Sequence, residues 1–535
     1  MTLKDTARNG VNRVAESLQV FKKDVFDLNG VPAFREFYTL FMFPWLYVYR
    51  GYYAAWHDVP IQSVNAYEGF KKPTRRMATM NAGRIVCQTL ARYVWGENCA
   101  INVTQKGKET PEGEKDPLQA YIDKVLEDND FWTAFGEYLE KSFALGGAAT
   151  KEWVEVPKDK NGNDAGPGRV KISYHMAPQF IPTAWDNHNV TEGIFISREA
   201  KDGYYYSRVE WHRRKGETTV VTNDLYRMPM KETTEPQNIL GWWYPLTMMY
   251  PLLSPSTDIY GLSRTAFQYF RPFGANNFDD NSPLGVSAYS SAMDTLHSLD
   301  ICMDSFQREF VLGKRRIIVP AQAIRTVVDP KTGRLTRYFD ANDEVYEALS
   351  TDAPDALKIQ DNTVKLRVEE HVAAINAFLS ILCAQVGFDP GTLSFDKAQG
   401  LKTATEVISQ NSKTYNTIVN HQNNLRSALR NMITSILELS AQYGIEYEGQ
   451  SIASLIADGF EIGITFDDSI VEDTQSNINR GIMLINNKLM SKHKFLTDKK
   501  FGFCYTEEQY VDEMKRIRDE SQVNAIDVDF MTGGE

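Results

Sequence analysis

Cysteine is scarce in this chain. Its 535 residues hold five, Cys87, Cys99, Cys302, Cys383 and Cys504, and no two form a CxxC pair. That leaves neither a zinc-ligand spacing nor a disulfide framework, and folding in a reducing cytoplasm is the expectation. Long apolar runs are missing too. The greasiest, Phe37 to Tyr49, is 13 uncharged residues interrupted by Pro44, short of the ~20 that a membrane helix needs. The start, MTLKDTARNG, is polar and lacks the apolar core of a secretory signal. No membrane association is expected. Nor do bases predominate: 58 Lys and Arg face 70 Asp and Glu, a formal charge of −12. Tight, sequence-blind DNA binding rests on many cations releasing counterions, so that class is disfavoured. DNA as cargo is compatible, because an acidic wall repels a polyanion and lets it slide.

Catalytic signatures are also absent. A motor that pushes DNA needs G-x-x-x-x-G-K-[ST] to cradle phosphates. The Gly313-Lys314 pair is followed by Arg315 and reads as a helix C-terminal glycine. No HExxH, GxSxG or post-strand GxGxxG occurs. Two carboxylate pairs, Asp279-Asp280 and Asp467-Asp468, are the candidates for metal-assisted work. Neighbours on a strand point to opposite faces, so the second pair would not converge. His297, His371 and His421 fall in helical segments, and His175, His188 and His212 in a strand-rich region without ligand spacing. No catalytic residue, metal or cofactor is assigned.

What is present is an ordinary globular composition, 42% hydrophobic and 24% charged, over a length that implies several structural units. The stretch Gly285–Gly444 organises it. Ala292, Leu296, Leu299, Met303, Phe306 and Phe310 recur at helical spacing in a segment closing on Gly313. A charge-polarised insert follows. Lys314, Arg315, Arg316, Arg325, Lys331, Arg334 and Arg337 come first, then Asp340, Asp343, Glu344, Glu347, Asp352, Asp355 and Asp361. Ile317–Val319 and Ile324–Val328 look like short strands around a DPKTGR turn. A second helix, about Arg367 to Val386, carries Val368, Val372, Ile375, Phe378, Leu379 and Leu382 on one stripe and stops at GFDPG. After a loop with Lys397, Gly400 and Lys402, Thr403 and Glu406 have capping-box spacing. A helix of about forty residues is expected from there to Gly444, with a stripe from Ile408 and Tyr415 through Ile418, Leu425, Leu429, Met432 and Ile436.

Elsewhere, residues 1–60 are amphipathic and then aromatic-dense, FREFYTLFMFPWLYVYRGYYAAW, readable either as a partner-docking arm or as a buried packing segment. Residues 74–96 and 116–145 read as helices, and 151–230 as strands, with a hairpin at Lys215-Gly216-Glu217. Residues 231–284 hold six prolines and read as loop. Beyond Gly444, FEIGITFDD reads as strand, and Ile478, Ile482, Ile485 and Leu489 as a helical stripe.

The ordered segments RRMATMNAGRIVCQTLARYVWGE (75–97), GYYYSRVEWHRRKG (203–216), FGANNFDDNSPLGVSAYSSAMDTLHSLDICMDSFQREFVLGKRRIIVP (273–320) and GTLSFDKAQGLKTATEVISQNSKTYNTI (391–418) resemble the portal proteins of tailed bacteriophages. The branch from siphophages of Gram-positive hosts is the nearest. The resemblance implies an α+β fold: a mixed α/β wing, a two-helix stem, a small α/β clip, a long wing helix and a helical crown. It divides the chain into an N-terminal wing region (1–284), first stem helix (285–313), clip (314–366), second stem helix (367–388), tunnel loop (389–402), long wing helix (403–444), C-terminal wing (445–472), and crown and tail (473–535). It further implies a dodecameric ring at one capsid vertex, assembled in the host cytoplasm. DNA would pass along its axis, with terminase, major capsid protein and adaptor or head-completion proteins as partners.

In that frame Asp396, Lys397, Gln399 and Lys402 would face passing DNA. Lys314, Arg315, Arg316, Arg325, Arg334, Arg337, Asp340, Asp343, Glu344 and Glu347 would form the clip interface. For this insert, pairing of opposite charges within one chain and binding of DNA phosphates stay open beside a head-to-tail ring contact, which is preferred. The competing classes are a metal-dependent nuclease built on the paired aspartates and a monomeric minor capsid or scaffold-like protein.

Overall fold

The computed structural model describes residues 23–28, 32–60, 74–96, 99–107, 115–157, 166–187, 189–230, 239–313, 365–394, 412–466, 481–497, 510–511 and 513–517. Between 314 and 364 it describes strand backbone alone, at 317–318, 325–328, 335–338 and 360–361.

The helices used below are α1 (Ala82–Val94), α2 (Pro117–Glu127), α3 (Phe131–Leu145), α4 (Met293–Leu312), α5 (Val368–Val386) and α6 (Ser412–Gln442). The strands are β1 (Lys23–Asp24), β2 (Ala100–Gln105), β3 (Ala148–Glu155), β4 (Arg169–Met176), β5 (Phe180–Asp186), β6 (Asn189–Lys201), β7 (Tyr204–Lys215), β8 (Thr218–Pro229), β9 (Ile239–Tyr244), β10 (Ser256–Ile259), β11 (Phe267–Phe270) and β12 (Phe460–Thr465). The chain is thus mixed α and β.

The largest sheet is antiparallel and runs β1-β9-β8-β7-β6-β5, with β10 also paired to β8. Its backbone is a meander of β-branched and aromatic residues joined by tight turns. Lys201 pairs with Tyr204 across Asp202-Gly203, and Lys215 with Thr218 across Gly216-Glu217. A second sheet, β11-β3-β4, packs beside it, and β2 pairs with β12 from the far end of the chain. The expectation of loop over 231–284 is corrected at β9, β10 and β11. Their partners β8 and β3 supply the ladder that a proline-rich local composition conceals.

Helix α6 runs through the centre. Ile418, Leu425, Leu429, Met432, Ile433 and Ile436 are buried in the main core, while Tyr415 of the expected stripe is exposed. Residues 403–411, with the Thr403–Glu406 spacing, lie outside the described residues. The aromatic segment is packing, not a free arm. Phe34, Phe37, Tyr38, Met42 and Trp45 are buried, and Tyr38 Oη donates to the Phe180 carbonyl at 2.6 Å. Trp45 in turn sits edge-on to Phe278 at 5.8 Å.

The helix expected from Gly285 begins only at Met293, after a short 3₁₀ turn at Ser290–Ala292. The preceding backbone is held out of the helix by distant partners. Gly285 N–H donates to Tyr269 Oη at 3.2 Å and Ala288 N–H to the Phe143 carbonyl at 2.8 Å. Gly285 and Gly146 lie so close that a Cβ on either would run into the carbonyl of the other, and Gly146 has a φ of +80°. Only glycine fits both positions.

Candidate functional site

Helices α4 and α5 form an antiparallel pair. Glu309, in the last turn of α4, meets the start of α5: Arg367 Nη2 lies 2.9 Å from Glu309 Oε2, and the Arg367 N–H points to Oε1 at 3.3 Å. Arg367 therefore holds the Glu309 carboxyl down at about 2. Phe306 packs on the His371 ring at 5.5 Å. The near ends of both helices sink into the body through Leu296, Leu299, Ile375, Leu379 and Leu382. Their outward-facing sides do not: Ile301 is 49%, Val311 57% and Ile381 47% exposed.

Two carboxylates fasten α4 to the segment before α1. Asp304 takes both ends of the Arg75 guanidinium, at 2.8 and 2.6 Å, and the Ala78 N–H at 3.1 Å. The arginine lowers the Asp304 pKa. One turn earlier, Asp300 Oδ1 accepts from Thr79 Oγ1 and Met80 N–H, both at 2.8 Å. His57 Nδ1 accepts the Tyr53 N–H at 2.7 Å, so its proton is on Nε2, which reaches Asp300 Oδ2 at 3.1 Å. Spacing of i and i+4 puts both acids on one helix face. Motif reading passes over them, since acids that interrupt an apolar stripe look like a solvated edge. The interruption itself, at Asp300 and Asp304 beside Leu299 and Met303, is the signal available.

The end of α5 is firmly tied to α6. Gly387 caps α5 in the left-handed region at φ +87°. Asp389 and Thr414 then bond reciprocally: Asp389 N–H donates to Thr414 Oγ1 at 2.8 Å, and Thr414 N–H to Asp389 Oδ2 at 2.9 Å. A helix leaves its first amides without internal partners, and Asp389 takes one of them. Thr417 Oγ1 donates to the Gly387 carbonyl at 2.8 Å. The chain between Asp389 and Thr414 is thus drawn together at its neck. Asp396, Lys397, Gln399 and Lys402 lie outside the described residues.

In the insert, Ile317–Ile318 pair with Gln360–Asp361, and Arg325–Val328 with Leu335–Tyr338. Arg325 stands opposite Tyr338 and Arg337 opposite Thr326. This hairpin lies within the basic half, whereas the Ile317–Ile318 and Gln360–Asp361 pair joins the start of the basic half to the end of the acidic half. Lys314, Arg315, Arg316, Arg334, Asp340, Asp343, Glu344 and Glu347 lie outside the described residues.

Asp279 sits in a turn, its Oδ1 accepting the Asn281 N–H at 3.2 Å, and Asp467-Asp468 lie outside the described residues. Among the described residues, no group of three or more His, Cys, Asp or Glu is arranged to hold a metal.

A further polar cluster joins the two sheets. Buried Lys151 of β3 reaches Glu210 of β7 at 2.9 Å, and His212 Nε2 lies 2.9 Å from the other Glu210 oxygen. Burial drives the pKa of Lys151 and His212 down, and that of His175 to about 3. The hydrogen bond from His212 and the positive charge of Lys151 outweigh the desolvation of Glu210 and hold its carboxyl low. On the opposite face of β3, Glu152 is 1% exposed, and neither carboxylate oxygen has a hydrogen-bond partner among the described residues. There Gln268, the cross-strand partner of Thr150, donates to Ser435 of α6. Desolvation raises the Glu152 pKa to about 8.

The fold is thus a mixed α/β body that carries an antiparallel helix pair, with a small strand insert between the end of one helix and the start of the other. The phage portal protein family of the SPP1 Gp6-like kind matches residues 46–526, and the chain belongs to that family. Portal proteins are structural, ring-forming components of the phage particle, which gives this chain a portal or connector role in the virion. No curated protein matches the sequence. Among solved structures, a chain from the neck of an empty GTA particle shares 11% identity, covering 77% of this chain and 87% of that one, with a TM-score of 0.35. A likeness at that score carries no argument here. No described helix is long and apolar enough to cross a membrane.

Proposed function

We propose that the chain closes into a dodecameric ring at one capsid vertex, through which double-stranded genomic DNA is packaged and later ejected. Assembled in the host cytoplasm, the ring meets the major capsid protein at its rim. It docks the ATP-driven terminase during packaging, and head-completion, adaptor and tail proteins afterwards. The chain is the conduit and the terminase supplies the work. Asp396, Lys397, Gln399 and Lys402 touch passing DNA, and the charged clip residues join neighbouring subunits or adaptors.

The observation that supports this best is the apolar outer stem. Ile301, Val311 and Ile381 are solvent-exposed in the isolated chain. Exposed apolar surface of this kind marks a protein interface, and adjacent stems in a ring would cover it. The net charge of −12 suits a channel that DNA must leave as easily as it enters.

Deleting residues 392–399 tests the reading. Rings should still form, because the Asp389–Thr414 neck is untouched, while the DNA retained per particle should fall. Normal packaging and retention would overturn the role given to the loop. A deleted and an intact protein that both stay monomeric at every concentration would overturn the ring.

A further inference from the structure

A cavity of about 280 Å³ lies where the start of β6, the end of β7 and the approach to β11 meet, with Asn189, Thr191, Arg214, Ser263, Arg264 and Thr265 in its wall. Two guanidinium groups line it and no carboxylate does. Two acids sit just behind the wall, each bonded to a backbone amide of a lining residue. Glu192 Oε1 accepts the Arg214 N–H at 2.7 Å, and Glu438 Oε2 the Ser263 N–H at 2.9 Å.

The two arginines are placed differently. Arg214 is fixed by three carbonyls, those of Gly216 at 3.1 Å, Ser263 at 2.8 Å and Leu262 at 3.2 Å. A guanidinium has five donors, so two remain. Arg264 Nε is buried with no hydrogen-bond partner among the described residues. A buried donor without an acceptor is costly. A ligand with several anionic oxygens suits a wall that carries two guanidinium groups, because such groups bind oxyanions through paired, charge-assisted hydrogen bonds.

We infer that this cavity is an oxyanion site for a phosphate-class group, supplied either as free inorganic phosphate or as a phosphodiester of DNA. The hydroxyl of Ser263 and the amide of Asn189 complete its polar wall. The site stands apart from the ring reading, since it is contained in one subunit and uses neither stem nor clip.

Calorimetric titration of the full chain with inorganic phosphate, at constant ionic strength set by chloride, is the test. Saturable binding is expected. Arg264→Gln should weaken it about tenfold or more, the loss of roughly one charge-assisted hydrogen-bond pair. Asn189→Asp, at an exposed strand start, should weaken it too by placing a negative charge in the wall, and it keeps the test valid if R264Q fails to fold. Random-sequence duplex DNA that competes with phosphate identifies the phosphodiester as the source. Duplex that leaves phosphate binding unchanged identifies the free ion. No saturable binding, or equal binding by wild type and both variants, overturns the assignment.

Discussion

Replacing Glu152 by glutamine should make the β3 sheet and its surroundings more stable in alkali and leave them nearly unchanged in acid. The carboxyl is buried between β3 and α6 with neither oxygen hydrogen-bonded among the described residues, and desolvation lifts its pKa from 4.5 to about 8. The folded state therefore keeps the proton that the unfolded chain releases. Its contribution to stability is fully present below pH ~4.5 and is lost as pH rises towards 8. At about 1.4 kcal/mol per pH unit, the loss above pH 8 is about 5 kcal/mol. Glutamine is neutral throughout and of the same shape, so it removes the pH dependence. Amide hydrogen exchange over Ala148–Glu155, corrected for intrinsic rates, is the local readout. Between pH 5 and 9 the wild-type opening equilibrium should rise by about 10³ relative to E152Q. Parallel pH profiles for the two proteins would refute the reasoning, as would an E152Q protein that is weaker at pH 9.

Asp304→Asn should cost about 2 kcal/mol, because it breaks the bidentate contact with a partly exposed arginine; denaturant unfolding at pH 7 should show it. The deficit should start to shrink as pH falls below ~4 and vanish only below the depressed folded pKa of Asp304, where the native wild type takes up its proton as well. Gly285→Ala should lose about 2–3 kcal/mol or fail to accumulate as soluble protein, since its Cβ meets a backbone carbonyl that cannot move aside; a drop in Tm below 2 °C would contradict the close approach to Gly146. Reversing Arg334 and Arg337 to Glu should weaken ring or adaptor association in native mass spectrometry while the subunit folds normally.

Where structure is dictated locally, the sequence is a good guide. Helix α5 ends where Gly387 says it should, and the hairpin at Gly216-Glu217 lies between the strands its flanking residues favour. Where distant partners decide, the local pattern misleads. Gly285–Tyr289 has helical spacing, yet its amides are taken by Tyr269 and Phe143, far away in sequence. The prolines of 231–284 suggest loop, but β8 and β3 recruit three strands from it. Lys151 and Glu152 are adjacent charges in a segment read as strand. Strand alternation sends one to each face of a strand covered on both sides. Asp300 and Asp304 were equally hidden, because a helical carboxylate declares itself only through the arginine, threonine and amides that another segment brings.

The neck formed by Asp389 and Thr414 has a consequence for how this chain tolerates change. Once two ends are held within hydrogen-bonding distance, most of the entropy of closing the segment between them is already lost, and doubling its length adds only about 0.6 kcal/mol. The helices on either side do not register how many residues pass between them. A peptide tag or a longer natural variant inserted after Gly391 would leave α5 and α6 in place. The length of this stretch is free to drift while the body that carries it stays the same.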